Sequence, residues 1–176
     1  MTIYTIGHST RTLDDFLALL RAHAVTRLAD VRTVPKSRRH PHFAGDALSR
    51  SLPDAGVAYR HFPGLGGLRK PRPDSRNTAW RHASFRGYAD HMQTAEFQEA
   101  LNRLIEAGRS ERVVIMCAEA VPWRCHRSLI SDALTVRGVP VEHVMSAAKS
   151  QGHTIIAFAR VRDGSITYPK ESLDFD

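Results

Sequence analysis

The chain has 176 residues, 42% of them apolar and 24% charged, which is enough for one sizeable core and too little for two. No apolar run reaches the roughly 20 residues of a membrane helix, which excludes a helical membrane span. The net charge of +7 is uneven, since Arg27–Arg86 hold 13 Lys and Arg against 4 Asp and Glu, and this points to an anionic small molecule or a nucleic acid as partner.

The predicted elements alternate between strand and helix, the pattern of a single α/β domain over residues 1–176 with a mostly parallel open sheet flanked by helices. Ile3–Ile6 reads as a first strand and not as a signal peptide, so a cytoplasmic protein with reduced thiols is expected. Thr12 is placed to cap a helix that runs to about Ala22, with Asp14 and Asp15 favouring its first turn. A second strand follows at Arg27–Val31, then a basic loop over Arg32–Phe43. Ala44–Ala55 is expected to be helical and to stop at Gly56, and Val57–Phe62 forms a short third strand. Residues 63–84 show no periodicity; they read as a basic, Gly/Pro-rich, mobile loop. Two helices, Phe85–Met92 and Glu96–Ala107, precede a buried strand at Arg112–Cys117, with Gly108 as the stop between. Pro122–Arg137 is expected as one helix ending at Gly138, followed by a strand at Val141–Met145. Ile155–Arg162 and Ser165–Tyr168 flank Asp163-Gly164, the signal of a C-terminal β-hairpin.

The reactive side chains cluster after strands. His8 and Ser9 follow the first, Asp30 and Arg32 close the second, and Cys117 and Glu119 close the buried one. In open α/β sheets ligands bind beyond the carboxyl ends of strands, so neighbouring strands would bring these clusters to one crevice. The run Val113–Ser128 is the densest, with Cys117, Glu119, Arg124, Cys125, His126 and Arg127 around one strand-to-helix turn. With Pro122 as first helical residue, the free N–H groups of Trp123, Arg124 and Cys125 would face an anion. A thiol there would be acidified by Arg or protonated His. The opposing reading is packing: Cys125, Leu129 and Ala133 share a four-residue spacing, as do His126, Ile130 and Leu134, and in that reading Cys125 or His126 continues an apolar stripe.

Known short motifs do not fit. Paired C-x₂-C spacing is absent, so no metal is expected, and no Walker loop or dinucleotide fingerprint is present, so no cofactor is expected. Cys117 to Arg124 is C-x₆-R where a thiol phosphatase uses C-x₅-R.

Thr5–Arg11 (T-I-G-H-S-T-R), Asp30–Arg38 with Phe43, Leu65–Gly67, Phe85–Ala89 and Cys117–Arg127 resemble, in order, the motifs of the domain-of-unknown-function family 488. That resemblance implies importance for His8, Ser9, Arg11, Asp30, Arg32, Ser37, Arg38, Cys117, Glu119, Cys125, His126 and Arg127, and it implies no reaction. The chemistry of the residues points to an enzyme acting on a phosphate-bearing substrate, a nucleotide or nucleic acid. Cys117 or Cys125 would be the nucleophile, with Glu119, His126 and His8 as catalytic partners. Ser9, Arg11, Asp30, Arg32, Ser37, Arg38, Arg124 and Arg127 would bind substrate, while Phe43, Trp80 and Phe85 are candidates for stacking on a base. A non-catalytic nucleic-acid-binding module and a thiol redox-sensing or metal-binding protein are the alternatives.

Overall fold

Short apolar runs alternating with amphipathic stretches fold, in a computed structural model that describes residues 1–171, into a mostly parallel sheet with helices on both faces. The last residues of the expected 1–176 domain lie outside the described residues. Along the chain come β1 (Ile3–Gly7), α1 (Leu13–Ala22), β2 (Arg27–Asp30), α2 (Gly45–Asp54), β3 (Ala58–His61), α3 (Ala83–His91) and α4 (Ala95–Ser110). They are followed by β4 (Val113–Cys117), α5 (Arg127–Val136), β5 (Val141–Ser146), β6 (Lys149–Gly152), β7 (Arg160–Arg162) and β8 (Ser165–Thr167).

Six strands form the sheet in the order β3-β2-β4-β1-β5-β6, all parallel except β6, and β7-β8 pair separately as the expected hairpin. Thr12 caps α1 as expected, its hydroxyl accepting from the Asp15 amide at 3.1 Å. Successive residues of a strand face opposite sides, which divides the core in two. Tyr4, Ile6, Leu28, Val114 and Met116 pack against Phe16 and Leu20 of α1 and Leu48 and Leu52 of α2. Ile3, Ala29, Val113, Ile115 and Cys117 pack against α3, α4 and α5. After β1 the chain crosses one face to β2, and after β4 it crosses the other to β5. The strand order therefore reverses between β1 and β4, where Gly7 pairs with Cys117.

Several expectations need correction. Gly108 does not stop the helix; it is buried inside α4, which runs on to Ser110. Pro122–Arg137 is not one helix. Pro122–Arg124 is a single 3₁₀ turn, Cys125 is extended at φ −142°, and α5 begins only at Arg127. The amides of Arg124 and Cys125 are consumed by Val121 and Pro122 carbonyls, so two of the three amides expected to face an anion are already bonded. Of Ile155–Arg162 only Arg160–Arg162 is strand, and β6 adds an antiparallel edge that the polar sequence K-S-Q-G did not announce.

Ala83 and Ser84 already belong to α3, and residues 63–82 lack regular structure beyond a 3₁₀ turn at Pro63–Leu65, yet they are tied down. Buried Asp90 accepts from the Arg72 amide, the Ser75 hydroxyl and the Asn77 side chain at 2.8, 2.6 and 2.7 Å. Tyr88 and His91 of α3 donate to the Leu65 and Gly64 carbonyls at 2.7 and 2.8 Å. No helix among the described residues is long and apolar enough to cross a membrane.

Candidate functional site

β2, β4 and β1 are adjacent, so the three expected clusters do reach the same edge of the sheet. They divide by face. Cys117, Cys125 and Arg127 lie on the α5 face, whereas the His8, Asp30 and Phe43 side chains lie on the α1/α2 face.

On the α5 face a cavity of about 430 Å³ opens above the end of β4. Cys117, Cys125 and His126 line its depth, Tyr88 and Phe85 one wall, and Gly67 and Leu68 another. Lys36, Arg124 and Glu119 stand at its exposed rim. The sulfurs of Cys117 and Cys125 are 2.7 Å apart, and both residues are buried. The break between the 3₁₀ turn and α5 makes this contact possible. An extended Cys125 leaves the helical stripe on which its spacing placed it and turns its thiol toward β4.

Arg127, the first residue of α5, is 1% exposed. Its Nε donates to Cys117 Sγ at 3.0 Å, its Nη1 to Thr5 Oγ1 at 3.1 Å, and its Nη2 to the Glu119 and Ala120 carbonyls at 2.5 and 3.4 Å. Its backbone N–H donates to Cys125 Sγ at 3.4 Å. Burial disfavours either thiolate. At Cys125 the bond from Cys117 and the Arg127 guanidinium and amide outweigh burial and bring the thiol down to about 7. Cys117 is pushed well above the ordinary thiol range by burial and by Cys125 beside it. The pair therefore releases one proton readily and keeps the second.

His126 sits against Cys125, its Nδ1 3.6 Å from the sulfur, while its Nε2 donates to the Val31 carbonyl at 2.7 Å. That second bond fixes the tautomer and leaves Nδ1 as acceptor toward the thiol. Burial holds this imidazole below its usual range. Glu119 contributes its carbonyl to Arg127, and its exposed carboxylate accepts from the Ala120 amide at 3.0 Å. Gly7 is what lets this turn approach β1: a Cβ there would lie 1.9 Å from the Glu119 carbonyl oxygen.

The second cluster has a different character. Asp30, wholly buried, takes both Nε and Nη2 of Arg32 at 2.9 and 2.6 Å, together with the Tyr59 hydroxyl at 2.7 Å. Arg32 also reaches the Phe43 carbonyl at 2.8 Å and touches the thiol cavity at its edge. His8 stacks on Phe43, gives its Nδ1 proton to the Ser9 carbonyl at 2.9 Å, and does not line the cavity. Its pKa is lowered to about 4, first by burial and then by Arg32.

Ser9, Arg11, Ser37 and Arg38 also stand outside the cavity lining. Ser9 holds φ +50° with its amide on the Ala118 carbonyl, Arg11 reaches the Gly7 carbonyl, and Ser37 caps the His40 amide. Phe43 is a packing residue, and Trp80 stacks on Phe85 against Phe158 and Tyr168. No group of three or more His, Cys, Asp or Glu among the described residues is arranged to hold a metal ion. Sequence reasoning missed Lys36, Gly67 and Tyr88 as cavity residues, and also missed Thr5, whose signal was a lone polar residue inside an apolar strand.

The sequence model described as Domain of unknown function DUF488 matches residues 12–134. The chain belongs to that family. The match contains β2, β4, the thiol pair and most of α5, but it begins after Thr5–Arg11 and ends before β5. No curated protein and no solved structure matches the chain. For this DUF488 member, the geometry of the thiol cavity is thus the ground for a functional reading.

Proposed function

We propose that the protein is a thiol-dependent hydrolase or transferase acting on a small anionic, phosphate-bearing substrate. The observation that carries this reading is Arg127. A buried guanidinium needs negative charge or a full set of acceptors, and the one group touching it that can become an anion is the thiol pair. Cys125 is the nucleophile, with the ionisation favoured by Arg127 and with His126 Nδ1 as its proton acceptor. Its sulfur bonds to the electrophilic centre of the substrate as the bond to the leaving group breaks, and the leaving group takes the proton from His126. Lys36 and Arg124 at the rim hold the anionic end, and Glu119 activates the water or acceptor that resolves the intermediate.

The test is alkylation by iodoacetamide across pH 5–9 together with a panel of nucleotide and phosphoester hydrolyses. Cys125→Ser should abolish both the fast-alkylating thiol and any turnover, while Cys117→Ser should raise the pH at which Cys125 reacts. Both variants folded and fully active would end the thiol mechanism.

The sulfur–sulfur contact favours a second reading, a reversible Cys117–Cys125 disulfide that senses oxidant. Intact mass after mild peroxide treatment decides it. Loss of two hydrogens supports the disulfide, and unchanged free thiols remove it.

A further inference from the structure

On the far side of Arg127 a line of hydrogen bonds leaves the thiol pair and runs through the core. Arg127 Nη1 donates to Thr5 Oγ1 at 3.1 Å, and the Thr5 hydroxyl donates to His143 Nδ1 at 2.7 Å. His143 Nε2 donates to His153 Nδ1 at 3.0 Å, and His153 Nε2 to Asp132 Oδ1 at 2.7 Å. For imidazoles that carry one proton each, the ends dictate this direction. A guanidinium can only donate and a carboxylate can only accept, so between them each neutral group passes its proton side away from Arg127. Both histidines are thereby fixed as Nε2–H tautomers. Asp132 is wholly buried and is held in turn by the Tyr168 hydroxyl at 2.8 Å and the Ile156 amide at 3.2 Å. Thr5 and His143 are buried too, so the Arg127–Thr5 and Thr5–His143 links lack water as a substitute partner, whereas His153 is half-buried.

We propose that Thr5, His143, His153 and Asp132 are positioning residues of the thiol site, a line that aims the Arg127 guanidinium so that Nε faces the Cys117 sulfur. This rests on reading the cysteine pair as a reactive thiolate. The guanidinium is a rigid fork, and fixing Nη1 on Thr5 fixes where Nε points. Without the acceptor at Thr5, Nη1 is a buried orphan donor and the fork turns to satisfy it, taking Nε off the sulfur. The line also joins the buried guanidinium to the buried Asp132, each bond polarising the next. The groups facing His143 are Thr5 from β1, Arg127 from α5 and His153 from beyond β6. Burial first, then His153 and Arg127, hold His143 down to about 4, so it is neutral around pH 7. The DUF488 match ends at residue 134, so both histidines belong to the part of the chain beyond it.

The experiment is thiolate absorbance at 240 nm against pH, paired with iodoacetamide alkylation at pH 6.5, on the whole protein. Thr5→Val and His143→Leu, each checked for folding by circular dichroism, should move the first thiol ionisation up by about one pH unit and slow alkylation roughly tenfold. Thr5→Ser, which keeps the hydroxyl, should titrate as the unaltered protein does. Folded Thr5→Val and His143→Leu proteins with unaltered curves overturn the proposal alone. An unaltered protein with no thiol ionising near pH 7 overturns the thiolate reading and the proposal with it. A further measurement needs no variant. Long-range ¹H–¹⁵N spectra should show Nε2–H tautomers at both His143 and His153, and an Nδ1–H tautomer at His143 overturns the proposal.

Discussion

A guanidinium taken out of water loses hydration worth several kcal/mol, and the chain meets this cost in two ways at neighbouring places. Arg32 takes a buried carboxylate, Asp30, through two parallel bonds and adds the Phe43 carbonyl, which is a fixed ion pair with little left to offer a ligand. Arg127 takes carbonyls, a hydroxyl and a sulfur, so among its contacts negative charge can arise only at the thiols. The same residue type is therefore a closed ion pair on one face of the sheet and, in the proposed reading, part of the chemistry on the other. Arg127→Met should raise the first thiol ionisation toward the ordinary thiol range, since burial is then opposed only by the Cys117 bond and the backbone amide of residue 127. It should also cost about 2–4 kcal/mol of stability, because Thr5 and the Glu119 carbonyl lose a buried donor. Thiolate absorbance and urea unfolding measure the two effects, and a thiol titration indifferent to Arg127→Met would refute the assignment.

Residues 63–82 reach the cavity because α3 admits them. Gly87 in the middle of α3 lies so close to this segment that a Cβ would stand 2.1 Å from the Arg69 carbonyl oxygen. Gly87→Ala must push the segment away from α3, withdrawing Gly67 and Leu68 from the cavity wall. Faster proteolytic cutting between residues 66 and 82, with the sheet still folded, is the expected result, and cutting at the unaltered rate would disprove the close approach. The order of elements was legible because strand runs such as V-V-I-M-C and capped stretches such as T-L-D-D-F carry their own periodicity and end signals. The gathering of Gly7, Asp30 and Cys117 at one edge of the sheet followed from the parallel α/β pattern. Their division by face was not seen, although the two-residue strand repeat contains it: Asp30 shares a side with Leu28, and Cys117 shares a side with Ile115. Pro122 misled because the residue that opens an α-helix also opens a 3₁₀ turn, and only the tertiary contact of Cys125 with Cys117 separates the two. Asp132, His143 and His153 were illegible, since the Thr5–His143 bond spans 138 residues and the bonds of His153 join separate elements 10 and 21 residues apart, which leaves no local trace beyond polar side chains in apolar surroundings.

Buried neutral histidines and a low thiol, taken together, shape how the whole molecule responds to pH. His8 and His143 both titrate at about 4 in the folded protein against about 6.5 unfolded. Between those limits the unfolded chain binds more protons, so stability rises with pH, and it is lost as pH falls from about 6.5 through about 4. Allowing for solvent screening, each histidine contributes on the order of 2 kcal/mol to that limb. Cys125 acts in the same direction at higher pH. With its thiol at about 7 when folded and near 9 unfolded, the folded protein releases the proton first, and stability goes on rising from about pH 7 to 9. Cys117, held protonated in the fold, reverses the trend above that. Urea midpoints measured from pH 4.5 to 10 should therefore climb in two steps and peak near pH 9. Cys125→Ser should remove the upper step and leave the lower one untouched. A single-step profile with its maximum below pH 7, or an upper step that survives Cys125→Ser, would mean that the thiol is not ionised in the fold.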